Sequence, residues 1–231
     1  MNFNIALVQF KPIRKNVAAN IKKIESLLSD IQADLVVLPE LSNSGYLYDS
    51  PKSLYPFSET QHSNGPFLTA LKRYAASTRG VIVTGYAEQD GRRLFNSSCV
   101  VAPEGVIKNS RKTHLYSDEK ILFMPGDSGF QTFEWKGVKI GIMICFDWIF
   151  PESTRTLSLL GAQIIAHPSN LVLPYCQDAM ITRSIENRVF TITANRIGTE
   201  HLGDTQLKFT GGSQFTTPNG KIMFRAPNSK T

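Results

Sequence analysis

The stretch KIGIMICFDWIFPE, residues 139–152, carries the transition that decides the fold. Residues 140–144 are apolar and typical of a buried strand, whereas Pro151 and Glu152 are typical of a helix start. Cys145 therefore lies where a strand ends, shortly before a helix. A cysteine there is either a nucleophile at the carboxyl end of a strand or a small buried side chain at a bend.

Strand and helix patterns continue on both sides of this stretch. Upstream, we predict a strand at 5–10, a helix at 16–31 capped by Asn16, a strand at 35–38, a polar loop at 41–65 and a helix at 66–78. Strands at 80–86 and 94–102 form a hairpin, and a last hairpin spans 213–224 with its turn at Asn219 and Gly220. Downstream, helices at 151–160 and 174–188 alternate with strands at 163–170 and 189–195. This mixture of crossovers and hairpins predicts a layered α/β sandwich with mixed sheets.

Composition narrows the class of protein. The chain has 231 residues, 42% of them hydrophobic, which suits one domain with one good core. No apolar run reaches the roughly 18 residues of a membrane span, and no secretory signal opens the sequence, so we expect a cytoplasmic protein without membrane contact.

Cysteine number and charge exclude two further classes. Three widely spaced cysteines and four scattered histidines predict neither a disulfide framework nor a metal site. The formal charge of +6 raises the possibility of nucleic-acid binding, but the basic residues are dispersed, so we expect no nucleic-acid partner.

Three chemically reactive residues follow predicted strands: Glu40, Lys112 and Cys145. The carboxyl ends of strands are where α/β proteins bind ligands. Taken singly, however, Glu40 could be a solvated loop acid, Lys112 a surface lysine and Cys145 a core cysteine. The residues alone leave these alternatives open.

The sequence segments around these residues resemble the motifs of a known family. LVVLPE (35–40), RKTHL (111–115) and GIMICFD (141–147) resemble, in order and separation, the three signature segments of the nitrilase, or carbon–nitrogen hydrolase, superfamily. Further segments that resemble this superfamily are FMPGD (123–127), FPES (150–153), ENR (186–188) and AN followed by RIG (194–198). The resemblance runs nearly from end to end.

The resemblance implies a fold and an assembly. The fold is a four-layer αββα sandwich with mixed sheets, in a single domain over residues 1–231. Family members usually continue with a further strand and tail where this sequence stops, at RAPNSKT. Members also pair through their sandwich layers, so we expect a homodimer or higher homo-oligomer.

The resemblance also implies a Glu–Lys–Cys triad at Glu40, Lys112 and Cys145, with Glu119 as a second glutamate. A free cysteine has a pKa of about 8.5 and needs activation, which Glu40 would provide as general base. Lys112, with the backbone N–H of Phe146, would form the oxyanion hole. Lys112 would also lower the pKa of Cys145 and Glu40. Glu119 would position Lys112 or the substrate, or shuttle protons.

Residues near the triad complete the predicted site. Phe146, Trp148, Asn170 and Tyr46 are expected to bind the substrate or shape its pocket. An alternative is a cysteine–histidine hydrolase that uses His114 or His167. We disfavour it because His114 belongs to the RKTHL segment around Lys112, and because His167 precedes Pro168 in a predicted turn.

The predicted function is hydrolysis of a non-peptide carbon–nitrogen bond, in a small linear amide or N-carbamoyl compound, without metal or cofactor. Two alternatives are a nitrilase, which converts a nitrile to an acid and ammonia, and a catalytically inactive interaction protein with the same fold.

Overall fold

The computed structural model describes residues 2–62 and 65–230 and contains two main β-sheets. The first sheet has the order β1-β2-β3-β4-β5. Its strands are β1 Ile5–Leu7, β2 Leu35–Val37, β3 Val81–Asp90, β4 Arg93–Ala102 and β5 Gly105–Arg111. The first three strands are parallel and the last two are added as antiparallel hairpins.

The second sheet has the order β13-β12-β9-β8-β7-β6. Its strands are β6 Gln131–Trp135, β7 Val138–Ile142, β8 Ile164–Ser169, β9 Phe190–Asn195, β12 Gln214–Thr216 and β13 Ile222–Arg225. The central strands β7, β8 and β9 are parallel, and the outer strands are antiparallel to their neighbours. A separate hairpin is formed by β10 Thr199–Leu202 and β11 Thr205–Lys208.

Helices cover the outer faces of both sheets. The longer helices are α1 Val17–Leu28, α3 Pro66–Thr78, α5 Pro151–Leu159 and α6 Cys176–Asn187, and the short ones are α2 Pro51–Leu54 and α4 Glu119–Leu122. Single 3₁₀ turns lie at Tyr55–Phe57 and Cys145–Ile149. Of the residues that the structure describes, none belongs to a helix long and apolar enough to cross a bilayer.

Strand alternation divides the core between the layers. Val36 and Leu38 pack with α1 and α3, whereas Leu35 and Val37 pack toward the second sheet. Because side chains alternate across a strand, a continuous apolar run such as LVVL is buried on both faces. The predicted four-layer αββα sandwich is confirmed.

Several predicted elements differ in detail. Helix α1 ends at Leu28 rather than residue 31, and Asn16 caps it by accepting from the Ala19 N–H at 3.0 Å. The loop at 41–65 contains α2 and a 3₁₀ turn; Ser63 and Asn64 lie outside the described residues. His167 and Pro168 lie inside β8, so the predicted turn there is wrong. Pro168 is compatible with this strand because β8 pairs in parallel with β9, and in such a pair the backbone hydrogen bonds alternate from residue to residue along the strand.

The hairpin β10–β11 was not predicted, although the sequence contains a signal for it. Gly203 and Asp204 form its two-residue turn, and Gly203 has a positive φ of 55°. The strands that flank this turn are short and polar, so they give only a weak alternating pattern.

Candidate active site

Cys145 lies just beyond the end of β7, at the start of a 3₁₀ turn. Its φ of 40° is a left-handed conformation that is unfavourable for a residue with a side chain. Two contacts hold this backbone. The carboxylate of Asp147 accepts from the Ile144 N–H at 3.0 Å, and the Cys145 carbonyl accepts from His167 Nε2 at 2.9 Å. The turn therefore presents the cysteine in a conformation that its neighbours impose.

Asp147 also joins this turn to the segment that follows Lys112. Its Oδ1 accepts from the His114 N–H at 3.0 Å and lies 2.8 Å from His114 Nδ1. The His114 ring stacks on Phe150 with centroids 3.8 Å apart. His114 is thus a structural contact between two segments of the predicted site.

Glu40 lies after β2 and is fully buried, which excludes the solvated loop acid. Its Oε1 accepts from Lys112 Nζ and from Asn96 Nδ2, both at 2.7 Å. Its Oε2 is buried and has no hydrogen-bond partner among the described residues. One carboxylate oxygen is therefore held in place and the other is free to react.

Lys112 follows β5 and is also buried, so the surface-lysine alternative is wrong. Its backbone N–H donates to the Asn96 carbonyl at 2.8 Å. Its ammonium lies 2.7 Å from Glu40 and 2.8 Å from Glu119. Two carboxylates thus hold the lysine between them.

Glu119 belongs to α4 and is fixed by further donors. The Tyr46 hydroxyl donates to its Oε1 at 2.8 Å, and the Tyr116 N–H donates to its Oε2 at 3.0 Å. The loop that carries Tyr46 is itself anchored, since the Tyr46 and Leu47 N–H groups donate to Glu200, whose carboxylate pairs with buried Arg196. The acid that holds Lys112 is therefore held by two further donors, one of them on an anchored loop.

The charges of this cluster influence the cysteine. Burial raises the pKa of the Cys145 thiol well above its usual value, the Glu40 carboxylate raises it further, and Lys112 lowers it only in part. The sequence-based expectation that Lys112 lowers the pKa of Cys145 agrees with this contribution, whereas burial and Glu40 set the net upward shift. Burial lowers the pKa of Lys112, but Glu119 and Glu40 outweigh it and raise that pKa well above its usual value. The site holds an ammonium between carboxylates, beside a protonated thiol.

A narrow cleft opens on Cys145. Its free volume is about 10 Å³, and Tyr116, Phe146, Trp148, Asn170 and residues 171–173 line it together with the cysteine. Phe146, Trp148 and Asn170, which the sequence predicted to bind substrate or shape its pocket, thus line a cleft with Cys145. Tyr46 does not line this cleft; its hydroxyl lies on Glu119 instead.

His167 does not act on the cysteine sulfur as a cysteine–histidine hydrolase would require. Its Nε2 bonds the Cys145 carbonyl, and its Nδ1 lies 3.0 Å from the Thr193 hydroxyl. Burial lowers its pKa to about 4, so it is neutral near pH 7. Its contribution is to the backbone of the turn.

Sequence reasoning missed four residues that shape the site. Asn96 binds both Glu40 and Lys112 from the middle of β4, where nothing in its strand pattern marks it. Gly85 and Gly126 allow close packing: an added Cβ would lie 2.3 Å from Glu40 Cα and 2.5 Å from the Lys112 carbonyl oxygen, respectively. Tyr116 contributes a backbone N–H, which no residue type reveals. Of these four residues, only Gly126 could have been recognised from the sequence, since it belongs to the FMPGD segment.

Comparison with known proteins places the chain in a family. A family model described as carbon–nitrogen hydrolase matches residues 4–231. A protein named nitrilase from Pyrococcus abyssi is 42% identical over 229 residues, which cover 98% of this chain and 86% of that protein. An (R)-stereoselective amidase from a Pseudomonas species is 35% identical, with 91% of this chain and 74% of that protein covered.

The fold also matches solved structures. A CN-hydrolase superfamily protein from Xanthomonas campestris, solved with an arsenic adduct in its active site, superposes with a TM-score of 0.88. The two chains are 24% identical over 100% of this chain and 89% of the other, so this likeness bears on the fold alone. The sequence match over almost the whole chain decides the family: this chain belongs to the carbon–nitrogen hydrolases.

Proposed function

We propose that this protein hydrolyses a small linear amide or N-carbamoyl compound through a thioester on Cys145, with Glu40 as general base and Lys112 as oxyanion donor. Glu119 keeps Lys112 in place. The observation that carries the proposal is the buried ammonium held 2.7 Å from Glu40 and 2.8 Å from Glu119, in the electrostatic neighbourhood of Cys145. Burying such a cluster of charged groups costs free energy, and a catalytic role explains why the fold contains it.

The first half of the cycle forms the thioester. Glu40 takes the thiol proton through its free Oε2 as the sulfur attacks the carbonyl carbon. The negative charge that develops on the carbonyl oxygen is stabilised by Lys112 and by the Phe146 N–H. The carbon–nitrogen bond then breaks, and Glu40 returns its proton to the nitrogen, which leaves as ammonia or an amine.

The second half releases the acid. Water attacks the thioester carbon while Glu40 takes one of its protons. The second tetrahedral intermediate collapses, the carbon–sulfur bond breaks, and the sulfur regains a proton. Carboxylic acid, or carbamic acid from a carbamoyl compound, is the product.

The resting site favours a thiol over a thiolate. Two carboxylates and one ammonium already give the cluster a net negative charge, and burial raises the pKa of Cys145 well above its usual value. Proton transfer to Glu40 is therefore expected to accompany attack rather than precede it.

A nitrilase reaction is the second candidate. The similarity to the nitrilase of Pyrococcus abyssi, at 42% identity, favours it. The same nucleophile, base and oxyanion donor serve attack on a nitrile carbon, where Lys112 would face a developing charge on nitrogen. Products from a paired amide and nitrile separate the two: acid and ammonia from the nitrile alone would favour the nitrilase.

Selective alkylation tests the proposed roles. We expect iodoacetamide to label Cys145 before Cys99 and Cys176, as followed by intact and peptide mass. Glu40→Gln should slow labelling and reduce amide turnover by about 10²–10⁴-fold, because the general base is lost. Lys112→Met should reduce turnover by about 10²–10³-fold.

The matched control is Glu59→Gln, at another buried glutamate. Glu59 caps α3 by accepting from the Phe67 N–H at 2.7 Å and lies outside the site. It should change the melting temperature without changing the labelling order. Labelling of Cys145 no faster than Cys99, together with absent turnover, would support the inactive interaction protein instead.

A further inference from the structure

Asn170 carries the most unusual polar side chain beside the nucleophile. It is 2% exposed, it lines the cleft with Cys145, and neither its Oδ1 nor its Nδ2 has a hydrogen-bond partner among the described residues. Its backbone N–H acts on the Cys145 sulfur and helps to lower the pKa of the thiol. The residue that carries this amide therefore lies beside the reacting sulfur, and its side chain lines the same cleft.

A neighbouring asparagine shows that this state is not imposed by crowding. Asn195 faces Ser169 across the β8–β9 ladder and is equally buried. Its Oδ1 accepts from the Leu171 N–H at 2.9 Å, and its Nδ2 donates to the Gly211 carbonyl at 2.6 Å. The fold thus satisfies the side-chain amide of Asn195 and leaves that of nearby Asn170 without a partner among the described residues.

An unused buried amide is costly to a fold, because water no longer satisfies its donor and acceptor. Such a group persists where a ligand provides the missing partners. A planar carboxamide or ureido group is complementary to it, since that group offers an N–H to Oδ1 and a carbonyl oxygen to Nδ2. A nitrile offers only an acceptor nitrogen and leaves Oδ1 without a donor.

We propose that the Asn170 side chain is a specificity-determining residue that selects carboxamide or ureido substrates, which carry an N–H, over a nitrile of the same carbon skeleton. This inference rests on the proposed function, and it assigns the choice between amide and nitrile to one side chain. Sites built to hydrogen-bond a substrate reject analogues that lack the bonding group.

Kinetics on butyramide and butyronitrile test the inference. Wild-type protein should turn over the amide with the higher kcat/KM. Asn170→Leu removes donor and acceptor at similar size, and should lower kcat/KM for butyramide by about 10- to 100-fold while changing the nitrile value less than about threefold. Asn170→Ala makes the same comparison if the leucine variant does not fold. Iodoacetamide labelling of Cys145 reports that the nucleophile stays intact.

The matched control is Asn187→Ala. Asn187 is also buried with an unpartnered Oδ1, but it ends α6 ahead of β9, at the opposite edge of the sheet from Cys145. It should affect both substrates equally. Equal losses on amide and nitrile in the Asn170 variants would overturn the inference while leaving the hydrolase intact. Turnover of neither compound by wild-type protein would overturn the proposed function and this inference together.

Discussion

His167 shows how a single buried residue sets the conformation of the proposed nucleophile. Its ring bonds the Cys145 carbonyl and the Thr193 hydroxyl, so it can donate from Nε2 and accept at Nδ1 only while neutral. Burial keeps it neutral by lowering its pKa from 6.5 to about 4. The left-handed backbone of Cys145 is therefore held by a donor on a histidine that burial keeps neutral near pH 7.

Acid should destabilise the protein through this residue. A histidine whose folded pKa is depressed binds fewer protons in the folded than in the unfolded state, so stability is lost as pH falls from about 6.5 toward 4. Between pH 7 and 4.5, we expect His167 to reduce the free energy of unfolding by about 2–3 kcal/mol.

Urea unfolding of wild type and His167→Gln at both pH values measures this contribution. Glutamine keeps a donor but does not titrate, and the other acids cancel in the difference. The variant should lose less stability than wild type on acidification. The same pH dependence in both proteins would contradict the assignment.

At the scale of elements, the site depends on how closely the segments after β2, β5 and β7 approach one another. Glycines make two of these approaches possible. Gly85 of β3 lies against the Glu40 backbone, and Gly126 lies against the Lys112 carbonyl. Any side chain there would push the base or the oxyanion donor out of place.

Gly85→Ala should therefore impair both stability and catalysis. Its Cβ would lie 2.3 Å from Glu40 Cα, so the Glu40 backbone must shift. We expect kcat to fall by about a hundredfold, since displacements near 1 Å have effects of that size. Gly91→Ala is the control: its Cβ meets no atom within 4 Å, and its positive φ of 61° costs about 1 kcal/mol of stability without reaching the site. Equal kcat values in the two variants would show that Gly85 does not position Glu40.

Some of these features could be predicted from the sequence and others could not, for physical reasons. The strands that precede Glu40 and Cys145 could be predicted from the sequence, because strands buried on both faces have continuous apolar runs. Asn96, the Tyr116 N–H and Gly85 act through contacts between segments far apart along the chain, which local patterns do not encode. His167 was assigned to a turn because Pro168 follows it, but the register of β8 against β9 accommodates that proline.

At the scale of the whole molecule, the two sheets share one core while the outer face of the second sheet carries exposed apolar residues. Leu159 is 79% exposed at the end of α5, and Ile185 is 51% exposed on α6. The two helices are adjacent, since Ser158 donates to the Asn187 carbonyl at 3.1 Å. Exposed apolar surface favours association, so we expect the predicted homo-oligomer to form through this face.

Leu159→Asp should weaken that association. We expect light scattering to give a mass near that of two chains or more for the wild type and a lower mass for the variant at the same concentration. Ile13→Asp, at an apolar residue 50% exposed outside these helices, should leave the mass unchanged. A monomeric wild-type protein, or equal masses for Leu159→Asp and wild type, would contradict the predicted interface.

The central claim is that Cys145 carries the acyl group during turnover. Acid quenching during steady-state hydrolysis of butyramide, followed by peptide mass analysis, tests it directly. The mechanism predicts a butyryl group on the peptide that contains Cys145, none on the peptides that contain Cys99 or Cys176, and no turnover by Cys145→Ala. An acyl group on any other residue, or undiminished turnover by Cys145→Ala, would contradict it.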